Sequence, residues 1–415
     1  MSNMNENAKI FDDFVTQLKK WGEGGTTPDI CSLDLNYAFE LQRKRLEEKN
    51  LSIKYTYTKR FEDTDTYVFK GWGDKEYDNK IAALSYDRVK EFLINGKSKF
   101  KDKEQELLYT IITWMRNQQS DKTYCCPNCG AIHSIRTLLN EGCPNCKTRF
   151  IMSDLFPKVT NYYSVKDYGE SKKTIKDKIK VYVLTGFVIG FVCMIVSSMI
   201  KDGSSFDFAT LLTGVPGGVI GAFAGYVVWA IGKICSIFTD AAKSIPKLAR
   251  QHDAKSKLPQ FMLQFDPNFS FEYFIGKIIA MARIMIFCSD YSNLAIYEGP
   301  AMENQNKDIV DVQYNGAVKL NSYSVKGAYC YLDIVVYTTD TYCVGKSIRK
   351  KNEAFRMVLC KNVMNPPDYG FSVGKVQCKN CGASFDATRE HNCPYCNSAY
   401  HLGDDDWVVL VFHKA

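Results

Sequence analysis

The chain has 415 residues, of which 46% are hydrophobic and 24% charged, so wholesale disorder and collagen-like architectures are excluded. Its net charge of +7 is uneven: residues 1–121 carry 20 basic and 21 acidic side chains, residues 122–261 carry 18 and 9, and residues 262–415 carry 15 and 16. The excess therefore belongs to the middle of the chain, which argues against a generally basic nucleic-acid binder. The 16 cysteines sit in a chain too long to need disulfide staples.

Residues 1–121 read as an α+β domain. Ile10, Phe11, Phe14, Leu18 and Trp21 share one side of a helical pattern over residues 8–21. That pattern suits packing on its own domain better than a membrane surface, because Asp12 and Asp13 oppose binding to anionic lipid. Residues 1–25 lack the form of a signal peptide. Gly22–Pro28 reads as a linker and Leu35–Lys49 as a charged helix. Ile53–Phe61 and Tyr67–Trp72 read as strands pairing with each other, and Tyr86–Ile94 and Lys103–Arg116 as helices.

A first zinc ribbon is expected over residues 122–165. Cys126-Pro-Asn-Cys129 is followed, after thirteen residues, by Cys143-Pro-Asn-Cys146. Two CxxC knuckles at this separation place four thiolates around one zinc ion. Cys378-Lys-Asn-Cys381 and Cys393-Pro-Tyr-Cys396, eleven residues apart, repeat the pattern. Both clusters continue Cys-Gly-Ala, at Cys129-Gly130-Ala131 and Cys381-Gly382-Ala383. Each also carries an aromatic four residues past its last cysteine (Phe150, Tyr400) and an aspartate eight past it (Asp154, Asp404), so they read as an internal repeat. All four positions in each set are cysteines, leaving no open position for water activation; two structural zinc ions are expected. His133, His391 and His401 lie nearby and read as surface packing. Basic side chains are sparse between the cysteines, which opposes nucleic-acid binding.

The middle, residues 179–238, reads as a two-helix transmembrane hairpin. Val181–Ile200 and Phe208–Gly232 are runs of 20 and 25 residues without a charge, and a bilayer core needs about 20. Lys172, Lys173, Lys176, Lys178 and Lys180 precede the first run, while Lys233, Lys243, Lys247 and Arg250 follow the second. The positive-inside rule puts both flanks, and hence both termini, in the cytoplasm of a two-pass protein of the cell membrane. Gly217, Gly221 and Gly225 at four-residue spacing offer close helix packing, within the hairpin or in a homo-oligomer. Pro216 suggests a kink.

Residues 260–415 read as a second α+β domain. Asp266-Pro-Asn-Phe-Ser270 precedes an amphipathic helix bearing Phe274, Ile278, Ala282 and Met285, with Ser270 as its N-cap. Strands are expected at Ile309–Tyr314, Val318–Val325, Tyr329–Thr338, Glu353–Cys360 and Trp407–Phe412. Cys330, Leu332, Ile334 and Val336 alternate on one face of the third.

The Asp-Pro-Asn-Phe-Ser start, the helix, the later strands, and a ribbon ahead of Asp406-Trp407-Val408 resemble the bacterial relatives of the mitochondrial import subunit Tim forty-four. The resemblance implies the cone fold of nuclear transport factor two over residues 260–415, with the second ribbon inserted at 376–398. It also implies a tethering role at a membrane beside transport proteins, and no shared catalytic residues. The spanning hairpin departs from the amphipathic lipid-binding helices of the mitochondrial member.

The expected protein is thus an α+β membrane protein with a cone-shaped antiparallel sheet, two zinc ribbons and a transmembrane hairpin. It is expected to act as a non-enzymatic scaffold or protein-transport accessory. No phosphate loop, HExxH, GxSxG or ordered Ser/His/Asp set is present. The alternative is a lipid or small-molecule sensor using the cone cavity, with Tyr329, Tyr331 and Tyr337 as candidate lining or core residues.

Overall fold

Leu51, Ile53 and Tyr55 point inward while Ser52, Lys54 and Thr56 point to solvent, and this period of two builds the first strand, β1 (Leu51–Lys59), of a computed structural model. The structure describes residues 2–60, 67–69, 71, 73–74, 77–116, 123–126, 129–134, 137–138, 143–147, 156–167, 172–202, 208–292, 294–300, 302–364, 375–378, 380–386, 390–404 and 406–415. Phe150 and Asp154 of the expected repeat lie outside them. The chain divides into two compact units, residues 1–167 with 250–415, and residues 168–249.

The larger unit holds two antiparallel sheets. The first combines β1, β2 (Tyr67–Phe69), β3 (Tyr77–Ile94), β4 (Lys97–Met115) and β7 (Lys158–Lys166), in the order β1-β3-β4-β7 with β2 also on β3. The second combines β8 (Ile309–Lys326), β9 (Tyr329–Val344), β10 (Ser347–Asn362) and β13 (Val408–Lys414), in the order β13-β10-β9-β8. Three expectations are corrected. Tyr86–Ile94 and Lys103–Arg116 are strand, not helix. β1 and β2 each pair with β3 rather than with each other. The two runs expected at 309–314 and 318–325 are one bulged strand.

The sheets share a plan. β2 aside, each contains a four-strand meander whose third and fourth strands are separated by a cysteine cluster. Each fourth strand is bulged at one residue. On β7, Asn161 and Val159 flank unpaired Thr160. On β13, Val411 and Val409 flank unpaired Leu410. At each bulge a short parallel bridge lies alongside, Cys31 on Val159 and Tyr297 on Val409. The bridging backbone bonds match as well, Val159 N–H to Ile30 O and Val409 N–H to Ile296 O. The N-terminal half therefore repeats the topology of the C-terminal half.

Helix α1 (Ser2–Gly22) buries Ile10, Phe11, Phe14, Leu18 and Trp21 on the first sheet, the face expected from its spacing. Helix α5 (Phe271–Phe287) buries Phe274, Ile278, Ala282 and Met285 on the second. Ser270 precedes α5, but its hydroxyl makes no cap bond and instead accepts from Asn79 Nδ2 at 3.0 Å.

Helix α2 (Leu33–Glu48) has no counterpart among the described residues of the second half and joins the two cores: Leu35, Phe39 and Leu46 enter the first, Ala38 and Leu41 the second. It also serves the C-terminal carbonyls of both neighbouring helices. Arg43 Nη2 donates to Trp21 O (2.7 Å) and Arg45 Nη2 to Phe287 O (3.2 Å) and Cys288 O (3.1 Å). Charged contacts complete the junction. Lys90 meets Asp311 at 2.6 Å, Lys350 meets Asp102 and Glu104 at 2.9 and 2.8 Å, and Lys277 lies between Asp34 and Asp406.

The smaller unit holds α3 (Lys172–Asp202) and the part of α4 (Phe208–Met262) up to residue 249, with two stretches long and apolar enough to cross a membrane, Ile175–Ile200 and Gly214–Cys235. Large apolar side chains such as Leu184, Val188, Val219, Ile220 and Phe223 are exposed on them. Where the two helices meet, glycines face glycines. A Cβ on Gly221 would stand 2.1 Å from Gly186 O, one on Gly217 2.5 Å from Gly190 O, and one on Gly225 2.2 Å from Tyr182 O. The glycine stripe is thus engaged inside the hairpin. α4 runs as one helix through Pro216.

Candidate metal centres

Each cysteine cluster is inserted at the same point of its sheet. The first lies between β4 and β7 and contains the short strands β5 (Thr123–Cys125) and β6 (Ile132–Ser134). The second lies between β10 and β13 and contains β11 (Lys375–Gln377) and β12 (Ser384–Asp386).

Four tight turns aim the sulfurs. In each, the residue after the second cysteine donates its backbone N–H to the first cysteine's carbonyl at 2.8 Å: Gly130 to Cys126, Lys147 to Cys143, Gly382 to Cys378, and Asn397 to Cys393. That residue lies at positive φ every time, +74° and +60° in the first cluster and +72° and +59° in the second. Glycine suits this left-handed conformation, which accounts for the Cys-Gly step at the head of each repeat.

The outcome is two closed sets, Cys126, Cys129, Cys143 and Cys146, and Cys378, Cys381, Cys393 and Cys396, with all sulfurs of a set within 4.8 Å of one another. Cys126–Cys146 and Cys129–Cys143 stand 3.7 and 3.5 Å apart, and Cys378–Cys396 and Cys381–Cys393 stand 3.6 and 3.7 Å. A disulfide requires about 2.05 Å. Four sulfurs about 2.3 Å from a tetrahedral zinc would be separated by about 3.8 Å, so the donor sets fit a metal ion with nothing further to supply.

Crowding four thiols together changes the cost of ionising each of them. Backbone hydrogen bonding at Ala131 favours the Cys129 thiolate, but desolvation and the three neighbouring sulfurs outweigh it and raise the thiol to about 12. Cys381, hydrogen-bonded at Ala383, is raised to about 12 in the same way. Cys396 is pulled down to about 6, first by the Ser398 hydroxyl. Cys126, Cys129, Cys143 and Cys146, and likewise Cys378, Cys381, Cys393 and Cys396, would hold a cation as thiolates, their mutual repulsion offset by its charge and their protons released.

No histidine belongs to either set. His133 Nε2 and His391 Nδ1 are buried without a hydrogen-bond partner, and the His401 ring stands edge-on to His391 at 6.2 Å. Tyr331 and Tyr337 are half-buried, alternating with the fully buried Cys330, Leu332, Ile334 and Val336. Tyr329 donates to Asp404. Two clefts of about 470 and 480 Å³ lie along Val192–Ile200 and beside Trp21 and Arg43, and neither is lined by the core of the second sheet. Asp406, of the Asp-Trp-Val start, accepts an ion pair from Lys277. The left-handed residues Lys147 and Asn397 and the hydroxyl of Ser398 were not anticipated. The repeated Cys-Gly was the available signal for the turns.

Comparison with protein-family models, with curated proteins and with solved structures finds no match.

Proposed function

We propose that this chain is a membrane-anchored, non-enzymatic scaffold or protein-transport accessory that presents two zinc-ribbon modules on the cytoplasmic side of a membrane. The reading rests on one combination: two closed four-cysteine sets and two exposed apolar helices in a single chain. A closed set of four thiolates favours a structural ion over a catalytic one, because no position remains for water or substrate. Thiolates persist in a reducing compartment, and the lysines flanking the helices favour that same side. The helix-on-meander plan of residues 260–415 is compatible with a cone fold like that of the Tim forty-four relatives. The cell membrane is the proposed location, with both termini inside. Homo-oligomerisation through Gly217, Gly221 and Gly225 would have to displace the helix those glycines already contact.

The test joins both halves of the reading. Full-length protein should remain in the membrane pellet after alkaline carbonate extraction, and the purified protein should carry close to two zinc ions. Cys126→Ser and Cys378→Ser should each remove one. Release by carbonate would end the anchor, and zinc content unaffected by either substitution would end the ribbons.

A further inference from the structure

The cysteines of the second cluster are held by one residue that is not a ligand. Ser398 Oγ lies 3.0 Å from the Cys378 sulfur and 3.0 Å from the Cys396 sulfur. Its backbone carbonyl accepts the Cys393 N–H at 2.9 Å. It therefore touches three of the four cysteines, spanning from the first knuckle to the second. Asn380 Nδ2 adds a longer contact to the Cys396 sulfur at 3.6 Å. Only Cys381 is placed without it.

We propose that Ser398 is the positioning residue of the second metal centre: its hydroxyl fixes the spacing between the knuckles and donates to a metal-bound thiolate. The hydroxyl carries one proton, so it serves one sulfur at a time and lies against the other. A donor to a ligand atom orients it and stabilises the negative charge it carries, and loss of such outer contacts typically weakens metal binding 10–100-fold. The proposal rests on the zinc reading above. The short contact to two sulfurs distinguishes a hydroxyl from a methyl group: alanine keeps the backbone bond to Cys393 and loses both sulfur contacts.

The experiment follows zinc release from full-length, detergent-solubilised protein into a colorimetric chelator. Mass spectrometry of alkylated peptides reports which cluster has opened. Ser398→Ala should speed release at Cys378, Cys381, Cys393 and Cys396 by roughly tenfold or more and leave the first cluster unchanged. Ser398→Thr, which keeps the hydroxyl, should restore slow release. Wild-type rates in Ser398→Ala would overturn the inference while leaving the two-zinc reading intact. Equal loss in both variants would also overturn it, by assigning the effect to packing. A wild-type protein that holds no zinc would overturn the inference together with the reading it rests on.

Discussion

The two halves of the larger unit share a meander, a bulge and an inserted cysteine cluster, yet they treat one buried position in opposite ways. Aligning the bulges, Ile111 with Val358 and Ile81 with Asp333, makes Arg88 on β3 the counterpart of Asp340 on β9, and Glu106 the counterpart of Glu353. Arg88 is 2% exposed and donates to Glu106 at 2.7 Å and Asp102 at 3.0 Å, while Lys350 of the second half reaches Asp102 as well. Asp340 is fully buried, and among the described residues its oxygens have no well-formed hydrogen bond, only the weak influence of the Thr338 hydroxyl beside them. The first half thus neutralises its buried charge and uses the network to lock the halves together. The second leaves a carboxyl that burial, reinforced by Glu353 and Asp311 and only partly opposed by the Thr338 hydroxyl and Lys414, pushes up to about 7. A shared backbone plan fixes where a side chain lies. It does not fix the sign of the charge placed there or whether that charge is satisfied.

Removing the charge should therefore have opposite effects in the two halves. Arg88→Ala is the larger: it leaves Glu106 buried without its cation and Asp102 with Lys350 alone, and breaking one side of such a pair costs about 3–5 kcal/mol. Thermal unfolding of the purified protein should show a fall of several degrees or more. An unchanged midpoint would mean that Arg88 is not what neutralises Glu106.

Asp340→Asn should stabilise. The carboxyl has a folded-state value near 7 against 3.8 in the open chain, so the folded form holds its proton more tightly. Its penalty is absent below pH 4, grows as pH rises toward 7, and is constant above that. The ceiling, from 1.36 kcal/mol per unit, is about 4 kcal/mol. The variant should match wild type at pH 4, exceed it at pH 8, and lose the decline in stability between those values. A variant less stable than wild type at pH 8 would mean that Asp340 is satisfied and ionised.

These same charges explain what could be read from the sequence and what could not. The cysteine sets, the uncharged runs, the face of α1 and the alternation of Cys330, Leu332, Ile334 and Val336 were all legible, because each is a local pattern with a single period. Tyr86–Ile94 and Lys103–Arg116, which belong to β3 and β4, read as helices because their inward positions are not all apolar. On β3 the core face runs Tyr86, Arg88, Lys90, Phe92, and on β4 it runs Glu104, Glu106, Leu108. Arg88 and Glu106 are buried as a pair across the β3–β4 hairpin, and Lys90 against Asp311 of the second half. The alternation was present but written partly in charge, and a hydrophobicity pattern cannot see it. The shared plan has its own signal in the sequence: Gly96-Lys97-Ser98 and Gly345-Lys346-Ser347 sit at the tips of corresponding hairpins, after β3 and after β9, with both glycines at positive φ.

The smallest effect compares the four knuckles. Gly130 and Gly382 adopt the left-handed conformation freely, whereas Lys147 and Asn397 hold it with a side chain at φ near +60°. A left-handed residue with a Cβ costs about 1–2 kcal/mol, and asparagine tolerates it better than lysine. Glycine's greater freedom in the unfolded chain offsets part of the gain. Lys147→Gly should thus strengthen the first cluster modestly, by under about 1 kcal/mol, and Asn397→Gly should change the second less. Zinc competition by a chelator, scored cluster by cluster, would resolve the order. If Asn397→Gly gained more than Lys147→Gly, backbone strain would not be what separates the second turns of the two clusters, and the surroundings of Cys396 would have to account for the difference.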